Sequence, residues 1–523
     1  MRKYRGLLII LIVAVAATAL VPAYLALIIV AGVAAVIFLV RNLDFGLLVL
    51  VFFFPYLGLV IDFGQFEIFR DTVYLKNINA PFVDLFGLLL FGAWGIYLIK
   101  NLKFKIKNGE AHNKNFTFYI LHFTFLRHLP HWKSYFLFWL SGLVSLWKVP
   151  AVYFGASLKY LARPFTFAYL VFFAMPVSIL TRGTKHNHPA STSPGPRPPS
   201  PRGRGEGEGQ RGGGLLHRVL LVFFWTGLLS AFNGLLGLLF GAHEAFPRAT
   251  PFGFFGINPL GPNHNLLAET LIATAPAGIL LSSQFTVHSS QYRWLRFGMF
   301  FMWAIALLTF ARTAWIAVAV QGVIFLWLTR RKHPLIPSLK RRGKLTVLTI
   351  AVLLAVLFAI LVGTTFTDIV RGSTLSRLDQ ARIAAFYFER APILGQGIGT
   401  FVPTLWGTRA YLLEYGEPLE AHGILFKLAF EQGLFGLAAF GVFAGAILLG
   451  LYRTYRTHRT NRTYGIALIA ALMIAAGSLA YQLFNTTYYT AKLWVPLAIA
   501  VGIGRIMSES RSNKSEYSHT IRT

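Results

Sequence analysis

Apolar residues in this chain occur in long uninterrupted runs separated by short polar segments. A helix needs about 20 apolar residues to cross about 30 Å of hydrocarbon, and runs near that length recur throughout. They predict membrane spans at 7–22, 23–40, 43–61, 81–99, 134–150, 160–181, 215–238, 264–282, 294–311, 313–329, 345–363, 433–452, 463–483 and 491–507. The first two runs are broken only near Pro22, and the fifth and sixth carry charges. The pattern therefore predicts an all-α polytopic membrane protein with 12–14 transmembrane helices.

Composition supports this fold class and excludes others. The chain is 55% hydrophobic and only 13% charged, whereas soluble domains are about 25% charged. A soluble globular enzyme, a disordered chain and a fibrous repeat are excluded on these grounds. Cysteine is absent, so no disulfide, thiolate nucleophile or Cys-ligated metal site can form within the chain.

The net charge of +30 is a signal of orientation. If the N-terminus is cytoplasmic and the spans alternate, 35 of the 49 Lys and Arg residues lie on the cytoplasmic side. The net charge is then +29 inside and +1 outside, as the positive-inside rule requires. We therefore predict a multi-pass protein of the cytoplasmic (inner) membrane with both termini in the cytoplasm. Membrane lipids are its expected surroundings, and no nucleic-acid partner is needed.

The segments between spans divide the chain. Residues 1–182 are predicted to be N-terminal transmembrane helices, and 183–214, rich in Pro, Gly, Ser and Arg, a disordered cytoplasmic linker. Central transmembrane helices are expected over 215–363, C-terminal ones over 422–507, and a cytoplasmic tail over 508–523.

Residues 364–421 form the one large extracytoplasmic loop, and we expect it to be structured and catalytic. Its 58 residues exceed the usual loop length, and many are aromatic or aliphatic. The sequence Ser376-Arg377-Leu378-Asp379 resembles a capping box. It predicts a helix that opens there, continues through Phe386 and stops before Pro392. The glycines of 395–399 are read as a turn rather than as a phosphate-binding loop.

Candidate chemistry rests on a few ionisable residues near the predicted outer face. Nucleotide-binding glycine loops and metal-binding motifs are absent from the sequence, so neither a cofactor nor a metal is expected. Arg312 is flanked closely by apolar helix, where an arginine is costly unless it meets an anion or reaches the interface. The loop adds Arg371, Arg377, Arg382 and Arg390, and guanidinium groups bind phosphate oxygens in a bidentate manner.

His422 stands where the chain re-enters the membrane. A neutral imidazole there is suited to act as a general base for a hydroxyl, although an isolated interfacial histidine is often a packing residue.

Five segments resemble the O-antigen ligase and O-antigen polymerase superfamily in order along the chain. Four precede or lie within the large loop, and the fifth begins at its end with a His that is followed by a small polar position, nine further positions and Gly-x-x-Gly. They are Gly256-Ile257-Asn258-Pro259-Leu260-Gly261-Pro262-Asn263-His264, Ala311-Arg312-Thr313-Ala314-Trp315, Arg371-Gly372-Ser373-Thr374-Leu375, Pro392 to Phe401, and His422 to Gly436. Two positions depart from the family pattern: Gly423 replaces a small polar residue, and Ala311 replaces a serine.

The resemblance implies an inverting, metal-independent glycosyltransferase that acts at the outer face of the membrane. Its donor would be a polyprenyl-diphosphate-linked glycan, and its acceptor a lipid, a glycan or a protein. By analogy Arg312 and Arg371 would hold the leaving diphosphate, and His422 would deprotonate or orient the acceptor hydroxyl.

Arg377, Arg382 and Asn263 are further candidates for substrate binding. Five positions separate Arg377 from Arg382, or about 140° around a helix, so the two are not expected to face one phosphate. A transporter or flippase of lipid-linked saccharide is the alternative function. The sequence motifs do not distinguish a ligase from a polymerase.

Overall fold

The computed structural model describes residues 23–62, 79–107, 129–185, 214–241, 247–261, 263–283, 289–330, 367–415 and 423–520. Within these ranges the chain is almost entirely helical, and eight helices are long and apolar enough to cross a membrane. A ninth span results if the helices on either side of Asn42, which meet at 114°, form one broken crossing. The predicted all-α polytopic membrane fold is confirmed.

The described helices follow one another along the chain. In chain order they are α1 (Ala23–Arg41), α2 (Leu43–Phe53), α3 (Phe82–Lys107), α4 (Trp132–Ser145), α5 (Phe154–Tyr160), α6 (Met175–Lys185), α7 (Gly214–Phe240), α8 (His264–Thr274), α9 (Ala277–Ser282), α10 (Ser290–Leu308), α11 (Arg312–Arg330), α12 (Thr367–Arg390), α13 (Phe401–Trp406), α14 (Arg409–Tyr415), α15 (Ile424–His458), α16 (Arg462–Gln482) and α17 (Ala491–Thr520). Two π-helical stretches, Leu161–Phe167 and Leu170–Ala174, join α5 to α6. Short 3₁₀ turns follow α4, and one antiparallel pair of strands joins Val60–Asp62 (β1) to Asn79–Pro81 (β2).

Eight of the predicted spans coincide with helices that are long and apolar enough to cross a membrane, and 23–40 and 43–61 coincide with the two helices of the bent pair. The predicted spans 134–150 and 294–311 contain described helices that are not among these candidates, and 7–22 and 345–363 lie outside the described residues. The total of 12–14 spans therefore stays a prediction, and so do the domain boundaries. The predicted linker at 183–214 also stays a prediction, because only its residues 183–185 and 214 are described.

Helix α16 lies at the centre of the bundle, in contact with α8, α11, α15 and α17. Its sequence is rich in alanine and glycine, and small residues allow transmembrane helices to approach closely. At Gly477 an added Cβ would lie 2.3 Å from Nε2 of Gln321 on α11. That buried amide donates to the carbonyls of Ile272 on α8 (2.8 Å) and Met473 on α16 (3.1 Å), so one polar side chain joins three helices.

Residues 367–415 fold against the end of the bundle at which α15 begins, which we call the loop end. Helix α15 is interrupted at Gly433, whose φ of 62° and ψ of −156° break the helical hydrogen bonds. The turn after α12 takes up the freed groups: Gln396 N donates to Phe430 O (2.8 Å) and Leu434 N to Pro392 O (2.8 Å). A Cβ at Gly433 would lie 2.5 Å from the carbonyl carbon of Ile393. The loop is thus hydrogen-bonded into a membrane helix.

The predicted start of the loop helix is wrong. Helix α12 begins at Thr367, nine residues before Ser376, and Ser376 does not cap it. Its hydroxyl instead lies 3.3 Å from that of Tyr411 on α14, so packing against α14 explains this polar residue. The predicted end is confirmed, since α12 stops at Arg390. Glycines 395, 397 and 399 all have positive φ, which confirms the turn.

Candidate functional site

Arg312 is the first residue of α11, as its position between two apolar runs predicts. A tight turn precedes it, in which Phe310 has a φ of 56° and the Thr309 hydroxyl accepts a hydrogen bond from Ala311 N (3.3 Å). Arg312 is exposed at this end of the helix. The first turn of a helix carries unsatisfied N–H groups and a partial positive charge, so the arginine adds to a positive region.

Arg377 on α12 lies within electrostatic range of Arg312, although 64 residues lie between them in sequence. Burial, and then the like charge of Arg312, lower the pKa of the Arg377 guanidinium, while Tyr481 at the end of α16 acts in the opposite direction. Its buried Nε has no hydrogen-bond partner among the residues that the structure describes. The fold therefore places two arginines together, with one donor directed into protein rather than water.

His264 and Arg248 extend this region. His264 is the first residue of α8, and the charges of Arg248 and Arg377 both act on it. Arg248, Arg312 and Arg377, together with His264, are called the arginine cluster below. It lies at the loop end, where both α8 and α11 begin, so two helix N-termini contribute N–H groups to one positively charged region.

Asn263, a candidate for substrate binding, is the N-cap of α8. Its side-chain oxygen accepts a hydrogen bond from Asn265 N (2.8 Å), as expected of an N-cap asparagine. The residue is exposed beside His264, and its side-chain oxygen serves the helix.

A buried polar network holds the first turn of α8 in place. Tyr481 OH donates to Asn265 O (2.6 Å), and Lys492 Nζ donates to Leu266 O (2.9 Å). One turn further along α8, buried Glu269 accepts from Gln482 Nε2 (2.7 Å) and from the Thr487 hydroxyl. Because α8 begins at His264, this network fixes one side of the arginine cluster.

Two predicted catalytic residues are not tested by the structure. Arg371 lies in α12, but its side chain is not among the described ones, and His422 lies outside the described residues. On a regular helix Arg371 is about 9 Å along the axis from Arg377 and about 120° around it, so the two occupy different faces. Gly423, next to His422, donates its N–H to the Thr486 hydroxyl (3.1 Å) in the turn that follows α16.

Arg382 points to a different environment from Arg377. Its side chain is 69% exposed and lies 3.0 Å from Asp379 one turn earlier on α12. Asp379 also accepts a hydrogen bond from Tyr415 OH (2.7 Å). The structure thus brings Arg377 to Arg312 and leaves Arg382 in a local ion pair.

A second group of buried charges holds the loop in place. Lys427 and Glu431 on α15 are 1% and 0% exposed, with Nζ and Oε1 3.6 Å apart. Lys427 also donates to Tyr160 OH (2.6 Å). Glu431 accepts from Phe401 N at the start of α13 (3.3 Å). This pair therefore connects the loop, α15 and the N-terminal helices.

Sequence reasoning missed several of these residues. His264 stands in a segment that carried the resemblance, and its position at the start of a polar-to-apolar boundary could have singled it out. Arg248, Tyr481 and Lys492 gave no comparable signal, because each acts through packing between segments far apart in sequence.

A comparison with protein families finds one match in this region. Residues 297–441 match the family model described as O-antigen ligase. Among proteins with curated descriptions, none matches the chain. The matched range contains Arg312, all of α12 and the first half of α15, so the resemblance to the O-antigen ligase superfamily is confirmed over this range.

Proposed function

Because residues 297–441 match the O-antigen ligase family model, we propose that the protein transfers glycan from a polyprenyl-diphosphate-linked donor to an acceptor hydroxyl. The observation that carries the proposal is that the charge of Arg312 acts on the Arg377 guanidinium, at the end of the bundle where α8 and α11 begin. Like charges repel, and the arrangement becomes favourable when an anion with several oxygens binds between them. A diphosphate carried by a lipid is such an anion.

The proposed reaction is a single displacement at the anomeric carbon. The acceptor oxygen forms a bond to this carbon on the face opposite the diphosphate, and the bond from the carbon to the diphosphate oxygen breaks. Arg312 and Arg377 stabilise the charge that develops on the departing polyprenyl diphosphate. The acceptor proton passes to His422, a role supported by the hydrogen bond from its neighbour Gly423 to Thr486 in the turn that follows α16. Such a displacement inverts the anomeric configuration and requires no metal.

Arg371 remains a proposed partner of the diphosphate, and we rank Arg377 before it, because the charge of Arg377 interacts with that of Arg312. Asn263 is proposed to contact the donor through its amide nitrogen. Arg382 is proposed to have a smaller role, since Asp379 already pairs with it.

The decisive experiment is transfer of a lipid-linked oligosaccharide by purified protein in detergent. Arg312→Gln and Arg377→Gln are expected to lower the rate at least 100-fold, and His422→Ala to do so while leaving donor binding unchanged. Arg390→Gln is the matched control, because it removes the same charge from an exposed position of α12 where the guanidinium lies 3.9 Å from the Phe386 ring. Full activity of the Arg312 and Arg377 variants would refute the proposal.

The same assay separates the open alternatives. A ladder of products identifies a polymerase, and a single addition identifies a ligase. Movement of labelled donor across a liposome bilayer, with no new glycosidic bond, would instead identify the transporter or flippase. We propose that the arginine cluster faces the extracytoplasmic side of the membrane, because the predicted charge distribution puts the basic segments on the cytoplasmic side.

A further inference from the structure

A cavity of about 270 Å³ lies between α11 and α15 at the end of the bundle opposite the arginine cluster. Helix α11 begins at Arg312 and has 19 residues, so its far end is about 28 Å away along the axis. The cavity is lined by Trp327, Leu328, Tyr452, Tyr455, Arg456 and Arg459. None of these six residues is acidic, and none belongs to the proposed transfer site.

Ring stacking and a hydrogen bond hold the aromatic wall of this cavity in place. The rings of Trp327 and Tyr452 are nearly parallel, with centroids 5.6 Å apart and an interplanar angle of 18°. Tyr455 OH donates to Leu328 O (3.0 Å), which ties α15 to α11 at this level. Tryptophan and tyrosine prefer the boundary between hydrocarbon and water in a bilayer, so the cavity opens at headgroup depth.

The two arginines of the cavity favour an anionic ligand. Arg456 and Arg459 are both exposed at the end of α15, one helical turn apart, so their guanidinium groups lie on the same side of the helix. Arginine binds phosphate oxygens with two parallel hydrogen bonds, and the last turn of a helix also favours cations. A volume near 300 Å³ suits a small ligand or headgroup, whereas acyl chains would extend along the apolar helix surfaces.

We propose that this cavity binds the headgroup of an anionic phospholipid, with the phosphate on Arg456 and Arg459 and the glycerol part against Trp327 and Tyr452. Basic pockets between membrane helices bind such headgroups in general. The lipid would belong to the leaflet opposite the glycan-transfer site, so the proposal does not depend on the transfer reaction.

The test measures retention of phosphatidylglycerol by the purified full-length protein, using native mass spectrometry from mixed micelles. Arg456→Gln and Arg459→Gln are each expected to weaken binding about fivefold, as expected for one basic residue near anionic lipid. Arg453→Gln is the control, because it removes the same charge from an exposed position of α15 outside the cavity. Arg456→Lys should retain most of the affinity, which separates loss of charge from loss of fold.

Three results would overturn the proposal. Phosphatidylcholine bound as tightly as phosphatidylglycerol would exclude recognition of an anionic headgroup. Equal retention in the Arg453, Arg456 and Arg459 variants would exclude this cavity. Displacement of the lipid by inorganic phosphate or glycerol phosphate at equal concentration would identify a site for free anions instead.

A second measurement uses bilayers that contain brominated phosphatidylglycerol, whose bromine atoms quench nearby tryptophan fluorescence. Trp327→Phe removes the tryptophan at the cavity, so the bromine atoms should quench less fluorescence in this variant than in Trp294→Phe.

Discussion

Two regions at the loop end contain buried or half-buried charges, and they differ in the balance of those charges. In the arginine cluster, the groups that act on Arg377 are another arginine and a tyrosine. Around the start of α13, Lys427 lies beside Glu431, and both make further hydrogen bonds to Tyr160 and Phe401. We propose that the first arrangement binds an anion, whereas the second pairs a cation with a carboxylate inside the protein. The comparison thus sets a proposed substrate-binding surface against an ion pair that holds the fold.

The largest effect is expected from breaking the buried ion pair between Lys427 and Glu431. Glu431→Ala leaves the Lys427 ammonium buried without its carboxylate, which costs about 3–5 kcal/mol of unfolding free energy. Denaturant titration in detergent micelles measures this loss. The double variant Lys427→Met, Glu431→Gln serves as the control and should lose much less, because no buried charge remains. A loss below about 1 kcal/mol in Glu431→Ala would contradict a structural role for the pair.

A substitution in the arginine cluster should lower activity rather than stability. Arg377→Gln is expected to slow glycan transfer about 100- to 1,000-fold, since a group that stabilises the departing diphosphate is gone. Its free energy of unfolding should stay the same or rise, because repulsion from Arg312 is relieved. Transfer rates and denaturant titration on one preparation measure both effects. If activity and stability fell together, Arg377 would be a packing residue.

The loop junction gives an intermediate effect. Gly433→Ala is expected to cost about 2–3 kcal/mol, because a positive φ is unfavourable for alanine and its Cβ would meet the Ile393 carbonyl. The comparison variant is Gly445→Ala on the same helix, where nothing lies within 4 Å of an added Cβ. That change should stabilise the helix by about 0.5–1 kcal/mol. Limited proteolysis of the loop would then reveal undocking in the first variant alone.

The smallest effect is expected at Arg382. Its ion pair with Asp379 is largely exposed, and such pairs contribute about 1 kcal/mol or less. Arg382→Gln should therefore change stability by less than this amount and transfer less than about threefold. A loss as large as that of Arg377→Gln would mean that α12 presents a second face to the substrate.

The sequence predicted the membrane helices well, because hydrocarbon thickness alone determines the length of an apolar run. It also predicted the end of α12, where Pro392 cannot continue a helix. The start of α12 was predicted wrongly, since Ser376 forms a local pattern that looks like a cap but bonds to Tyr411 across the loop. Local patterns of this kind do not reveal which distant segment will satisfy a polar group.

The same limitation applies to the site. Arg312 could be singled out from its apolar flanks, but its partner could not be chosen among the arginines of α12. The choice of Arg377 depends on how α12 is rotated about its axis against the bundle. Tyr411 and Gln380 help to set that rotation through a 2.9 Å hydrogen bond. The roles of Arg371 and His422 stay predictions.

The break at Gly433 also bears on how this architecture can be modified. Residues 392–397 complete the hydrogen bonding of residues 430–435, so neither segment is finished without the other. A loop transplanted from a relative would bring its turn without the matching helix and leave main-chain groups unsatisfied in a non-aqueous setting. The smallest portable part is therefore the stretch from α12 to the middle of α15, and chimaeras that exchange acceptor preference should be cut outside it.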